Sequence, residues 1–229
     1  MATGKGDIPA KLIRKFGYYL STPLSDILNT CIKKSQWPDI WKVEAVTPVP
    51  KVFPVKSVKD LRKISGLLNF NKIGEKIIAE WMMEDMKTKL DISQYGNEKG
   101  VSIEHYLVSM LHQILTNLDG NSKGNKNAVL ATLIDWRDAF YRQCPKFGIQ
   151  SFIRNGVRPS LIPLLINYFQ NHKMYVKWHG EESSMRNLPG GGPAGATIGL
   201  IEYLSQSSDN ADIVPSHLRF KFIDDFNLY

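Results

Sequence analysis

Three aspartates are the residues best suited to chemistry in this 229-residue chain. Asp224 and Asp225 sit side by side in the run Arg219-Phe-Lys-Phe-Ile-Asp-Asp-Phe-Asn-Leu-Tyr229, which otherwise reads as strand. Phe220, Phe222 and Ile223 precede them, and Phe226, Leu228 and Tyr229 follow. Paired acids in a strand-turn-strand are expensive to bury unless something positive neutralises them. The simplest partner for a doublet at a hairpin tip is a divalent cation. Such a site usually needs a carboxylate from elsewhere, and Ala128-Val-Leu-Ala-Thr-Leu-Ile-Asp135 offers one. That run is apolar, partly β-branched, and also ends in an acid.

Two further features could serve the same site, and each has a plainer reading. Phe140 lies five residues beyond Asp135, where it would sit beside a metal-bound substrate or fill the core. Gly190, Gly191, Gly192 and Gly195 surround Pro193 and Ala194. Glycines there allow close backbone approach to a phosphate or a base, but a flexible loop needs nothing more.

The elements that must position these residues follow from patterning. Residues 8–20 and 23–34 each carry an apolar face and read as two helices. Lys42 to Lys51 is β-branched and punctuated by Pro48 and Pro50, a pattern for an edge strand or extended arm. A helix from about Lys72 presents Ile73, Ile77, Ile78, Trp81, Met82 and Met86 along one face. Ser102 can cap a second helix, whose stripe of Ile103, Tyr106, Leu107, Met110, Leu111, Ile114, Leu115 and Leu118 reads as core. The polar run from Asp119 to Lys126 is a surface loop. Strands over 128–135 and 172–178, helices over 160–169 and 197–206, and the closing hairpin complete an α+β layer with its acids at one sheet edge.

Composition sets the class. With 43% hydrophobic and 22% charged residues the chain is globular rather than disordered. No apolar run approaches the roughly 20 residues needed to span a bilayer, and the first residues lack a signal-peptide pattern. Cys31 and Cys144 are the two cysteines, too few for a disulfide framework or a zinc site, which suits reduced thiols in an intracellular protein. Residues 1–90 hold 16 Lys/Arg against 9 Asp/Glu, while 91–229 hold 13 of each, so all of the +7 net charge lies in the first 90. A basic region beside an acidic one suits a polyanion held at a catalytic cation.

The order of these features resembles the fingers and palm of a reverse transcriptase of the kind encoded by non-LTR (LINE-type) retrotransposons. The resemblance rests on Val46-Thr-Pro-Val-Pro-Lys51, Leu61-Arg-Lys-Ile-Ser-Gly-Leu-Leu-Asn69, Gln94-Tyr-Gly-Asn-Glu-Lys-Gly100, the Asp135-to-Phe140 block, the glycine loop and Phe222-Ile-Asp-Asp225. It covers nearly the whole chain. It implies fingers and an N-terminal helical region over 1–127 and a palm over 128–229, with an antiparallel palm sheet packed on helices and the thumb absent. The implied activity is RNA-templated DNA synthesis, with an RNA template, a DNA primer and deoxynucleoside triphosphates as partners and no membrane.

Roles carry over by position. Asp135, Asp224 and Asp225 match the three catalytic, metal-binding carboxylates. In the family these hold two magnesium ions about 4 Å apart, with manganese as a substitute, which activate the primer 3′-hydroxyl and stabilise the leaving pyrophosphate. Phe140 matches the aromatic that excludes a 2′-hydroxyl. Lys51 and Arg62 match basic finger positions for triphosphate or template backbone. Gly192, Ala194 and Gly195 match the loop that receives the nucleotide.

Two departures stand out. Ala194 occupies the place where the family usually has glutamine, which removes one substrate contact. The chain also stops four residues after Asp225, as expected of a fragment of a retrotransposon polyprotein. The competing expectation is an inactive, degenerate nucleic-acid-binding remnant. A two-metal nuclease would share the acids but leave Phe140 and the motif order without a purpose.

Overall fold

The fold comes from a computed structural model that describes residues 6–96, 100–119, 128–136, 139, 142–188, 190, 192–193, 195–208 and 214–228. The chain divides into two compact units, Met1–Thr88 with Phe140–Tyr203, and Lys89–Ala139 with Leu204–Tyr229. Each mixes helices with sheet, an α+β arrangement.

The first unit opens with α1 (Ala10–Lys34), two helical stretches that run together across a kink at Phe16 rather than parting at 21–22 as patterning suggested. Pro23 lies inside it, and Phe16 departs from helical geometry at φ −106°, ψ 15°. Proline removes one intrahelical donor but not the helix, because the remaining turns and their packing carry it. The sheet runs β2 (Leu61–Gly66), β1 (Val43–Pro50), β4 (Lys173–Trp178) and β5 (Glu181–Glu182), with β6 (Arg186–Asn187) also on β4.

The expectation of an edge strand at 42–51 is therefore corrected. β1 pairs antiparallel with β2 and parallel with β4. The physical reason lies in where each pairing stops. β4 accompanies β1 from Val43 to Val46, whereas β2 accompanies it from Ala45 to Pro50. Pro48 and Pro50 thus fall in the half of β1 that has one neighbour, where a missing donor is harmless.

Around this sheet pack α2 (Asn69–Met86), α4 (Pro145–Arg154), α5 (Ile162–Tyr168) and the start of α6 (Thr197–Ser208). Trp37, Leu67, Ile78, Met82, Met86, Phe152, Leu164, Leu165 and Tyr168 are buried, each worth roughly 1.5–3 kcal/mol. Glu75 of α2 is wholly buried among them. Its carboxylate accepts from Asn71 Nδ2 at 2.7 Å, Tyr168 Oη at 2.8 Å and Thr197 N at 2.7 Å. The last contact satisfies an otherwise orphaned donor at the first turn of α6. Burial nonetheless pushes the Glu75 carboxyl up from its ordinary range.

The second unit holds α3 (Ile103–Leu118) and a three-stranded antiparallel sheet ordered β3 (Thr132–Asp135), β8 (Asp225–Leu228), β7 (Arg219–Phe222). Ser102 starts α3 as expected, in a capping box with His105, whose Nδ1 accepts from Ser102 N at 3.1 Å. The expectation that the α3 stripe is core does not hold. Tyr106 is buried, but Leu107, Leu111, Leu115 and Leu118 are exposed. β3 is likewise shorter than the 128–135 run, four residues ending on Asp135. Among the described residues no helix is long and apolar enough to cross a membrane.

Candidate active site

The strand carrying Asp135 and the hairpin carrying Asp224 and Asp225 are hydrogen-bonded neighbours. β8 pairs with β3 so that Asp135 faces Asp225, Ile134 faces Phe226 and Thr132 faces Leu228. β7 pairs with the other side of β8, with Phe222 opposite Asp225. Ile223 and Asp224 are therefore the two loop residues of the hairpin. Directly opposed residues of an antiparallel pair share a face, with Cβ atoms about 4.5–5.5 Å apart. Two carboxylates at that separation repel.

The electrostatics show the strain. Burial, then the charge on Asp224, then the charge on Asp135 raise the Asp225 carboxyl above its ordinary range. A cavity of 320 Å³ opens against the pair, lined among others by Tyr106, Met110, Leu133, Asp135, Asp225 and Asn227. Asn227 Nδ2 donates to Tyr106 Oη, which ties β8 to α3 next to the acids. Among the described residues no three acidic, histidine or cysteine side chains gather as a metal-holding group. The donor set is still all carboxylate oxygen, the kind a hard divalent cation takes, and an unneutralised acid pair is what such a cation would relieve.

The base of the hairpin is held by charge. Asp91 sits between Arg219 Nη2 and Lys221 Nζ, each at 2.8 Å, and all three side chains are buried. Burial alone would raise the Asp91 carboxyl, but hydrogen bonds from Arg219 and Lys221 outweigh it and hold it at about 2. Lys221 Nζ also donates to Ser207 O at 2.6 Å and lies 5.2 Å from the Phe226 ring centroid.

The other residues singled out from sequence belong to the first unit or lie outside the described residues. Arg62 is exposed on β2 opposite Val49. Lys51 follows β1 and is exposed, with its N–H donating to Asp60 O at 2.7 Å. Together with exposed Lys56, Lys59 and Lys63 they make the β1–β2 ribbon strongly basic. Gly192 is buried, and a Cβ there would come within 3.0 Å of Gly199 Cα in α6. Gly195 adopts φ +92°, which disfavours other residues. Phe140 and Ala194 fall outside the described residues.

Sequence reasoning missed the residue that grips the turn. Gln94 Oε1 accepts from Ile223 N and from Gly96 N, each at 2.9 Å. The signal that could have found it is Ile223 itself, a β-branched residue at the tip of a two-residue hairpin, where positive φ is usual.

No protein-family model matches the chain. It is 25% identical over 186 residues to the probable RNA-directed DNA polymerase from transposon X-element of Drosophila melanogaster, covering 80% of this chain and 20% of that protein. It is 22% identical over 205 residues to the RNA-directed DNA polymerase from mobile element jockey of the same organism, covering 88% of this chain and 21% of that one. The chain spans about a fifth of the length of the curated relatives it matches. Both of these proteins are RNA-directed DNA polymerases of mobile elements by name, and the chain is similar to each over most of its own length.

Proposed function

We propose that this segment supplies fingers and palm to an enzyme that extends a DNA primer on an RNA template from deoxynucleoside triphosphates. The observation that carries the proposal is the cross-strand pair Asp135–Asp225, with Asp224 beside it in the hairpin loop. Residues 128–229 take the palm part and residues 1–127 the fingers part, in a fragment of a longer retrotransposon protein. Asp135, Asp224 and Asp225 would hold magnesium, or manganese in its place. When bound as a pair, these ions supply charge stabilisation for the attacking 3′-hydroxyl and the departing pyrophosphate.

The chain's own residues do the rest by position. β3 and β8 fix two of the acids opposite each other on one face, so the backbone already holds them side by side. The exposed cations of the β1–β2 ribbon, Lys51 and Arg62 among them, attract phosphate, with Arg62 able to grip it bidentately. Phe140 would screen the sugar for a 2′-hydroxyl, and Gly192, Ala194 and Gly195 would form the loop that receives the nucleotide.

Primer extension on an RNA template tests the reading. Magnesium-dependent deoxynucleotide incorporation that Asp224→Asn abolishes supports it, and incorporation unaffected by that substitution overturns the metal assignment. A second reading, a non-catalytic nucleic-acid-binding remnant, draws on one observation: the described acids do not gather in threes. It requires salt-sensitive RNA binding with no incorporation, including in an Ala194→Gln version.

A further inference from the structure

The Asp224–Asp225 hairpin contains a conformation its own sequence disfavours. Ile223, the first loop residue, has φ 58°. Positive φ brings the Cβ of an L-residue against its own backbone, and β-branching makes this worse. Such a residue persists when its surroundings over-determine it, and strain of this kind clusters at functional sites.

The surroundings that over-determine Ile223 are one segment, residues 91–96. Asp91 pairs with Arg219 and Lys221 at the base of β7. Ser93 O accepts from Lys221 N at 2.9 Å, and Tyr95 N donates to Lys221 O at 2.8 Å, a short parallel bridge along the free side of β7. Tyr95 stacks on Phe220 at 6.2 Å between ring centroids. The segment then reaches the loop. Gln94 Oε1 accepts from Ile223 N at 2.9 Å, and Gln94 Nε2 points at Ile223 O at 3.4 Å. Two backbone N–H groups, of Ile223 and Gly96, converge on the same atom of Gln94. That atom must be the amide oxygen, because nitrogen could not accept from either.

Gly96 completes the fit. A Cβ there would stand 2.6 Å from both the Ile223 amide nitrogen and its Cγ1. The backbone of residue 96 lies flush against the turn, and there is no room for a side chain.

We propose that Gln94 is the positioning residue of the Asp224–Asp225 turn: its side-chain amide clamps the backbone of Ile223 in the left-handed region and so sets where the two acids that follow it point. This rests on the reading of Asp224 and Asp225 as metal-holding acids. Gln94 touches neither carboxylate, so its effect is through Ile223. An alanine at 94 leaves the Ile223 N–H without its acceptor and frees the turn to relax.

The experiment is a double-mutant cycle with Ile223→Gly, because glycine adopts positive φ without strain and makes the clamp dispensable. Two readouts are taken on the full chain: hydrogen exchange at the 223–224 amides, and Mn2+ affinity by electron paramagnetic resonance. Gln94→Ala is expected to speed exchange at these amides and to weaken Mn2+ binding about 10-fold, the scale of losing a group that orients a ligand. In the Ile223→Gly background the same change is expected to alter both much less. Unchanged exchange and affinity in Gln94→Ala, or equal losses in the two backgrounds, would overturn the proposal. Asp225→Asn separates it from the metal reading. If that variant binds Mn2+ as wild type does, the metal reading fails, while the exchange data still decide whether Gln94 holds the turn.

Discussion

Asp135 and Asp225 face each other across two neighbouring strands, the last residue of β3 opposite the first of β8. Sheet hydrogen bonding thus sets two like charges side by side, and the fold bears the repulsion. Burial and the charges of Asp224 and Asp135 hold the Asp225 carboxyl above its ordinary range. An acid whose folded-state value is raised destabilises the fold once it ionises. That loss accrues as pH rises from the ordinary aspartate range and persists above it. Asp225→Asn is therefore expected to melt at or above the wild-type temperature at pH 7, with the difference fading toward pH 3 to 4 (about the unperturbed value). Thermal melts across pH check this.

The opposite sign holds at Asp91. Its carboxyl lies at about 2, below the ordinary 3.8. Its stabilising contribution is complete above the ordinary value and is lost as pH falls toward about 2. Asp91→Ala would leave Arg219 and Lys221 facing each other in a buried place, a loss of roughly 3–5 kcal/mol. Denaturant titration of that variant should show the second unit destabilised, with the acid limb of its pH profile flattened.

Glu44, buried in β1, behaves as Asp225 does and more strongly. Burial raises its carboxyl to about 7, against weaker lowering by Ser65 and Lys63. The fold loses stability as pH rises from the ordinary 4.5 to about 7 and no more above it. Glu44→Gln is expected to remove that loss, so the variant gains most over wild type at pH 8. Denaturant midpoints at pH 5 and pH 8 would show it.

Arg62 and Lys51 are exposed on the β1–β2 ribbon, where cations bind phosphate by releasing counterions. Replacing both with alanine is expected to weaken RNA binding across sequences. The slope of log affinity against log salt should become shallower by about 0.7 per charge on single strands. Fluorescence anisotropy at several salt concentrations measures this, and an unchanged slope would remove the ribbon from the interface.

The elements that carry the three candidate acids were legible because their signals are local. A strand ending in an acid and a hydrophobic hairpin with an acid doublet name Asp135, Asp224 and Asp225, and β-pairing places Asp135 opposite Asp225. What was not legible depends on partners distant in the chain. Periodicity reports that α3 has an apolar stripe, but not that Leu107, Leu111 and Leu115 lie exposed. Prolines in β1 suggested an edge, yet the parallel partner β4 is about 130 residues away and stops before them. α4 escaped notice because its buried face is Gly148, Ser151 and Phe152 while Phe147 and Ile153 lie exposed, and it starts on Pro145 without a capping side chain. The grip of Gln94 on Ile223 spans 129 residues and has no spacing rule to betray it.

The claim that matters most is that the Asp135–Asp225 pair, with Asp224, is a divalent-cation site. The most direct measurement is the line broadening of backbone amide signals as Mn2+ is added to the isotope-labelled chain. The account requires selective broadening centred on Asp135 and on Ile223 to Asp225, displaced by excess Mg2+ and lost in Asp225→Asn. Broadening spread over the exposed acids of the surface, or unchanged in Asp225→Asn, would contradict it.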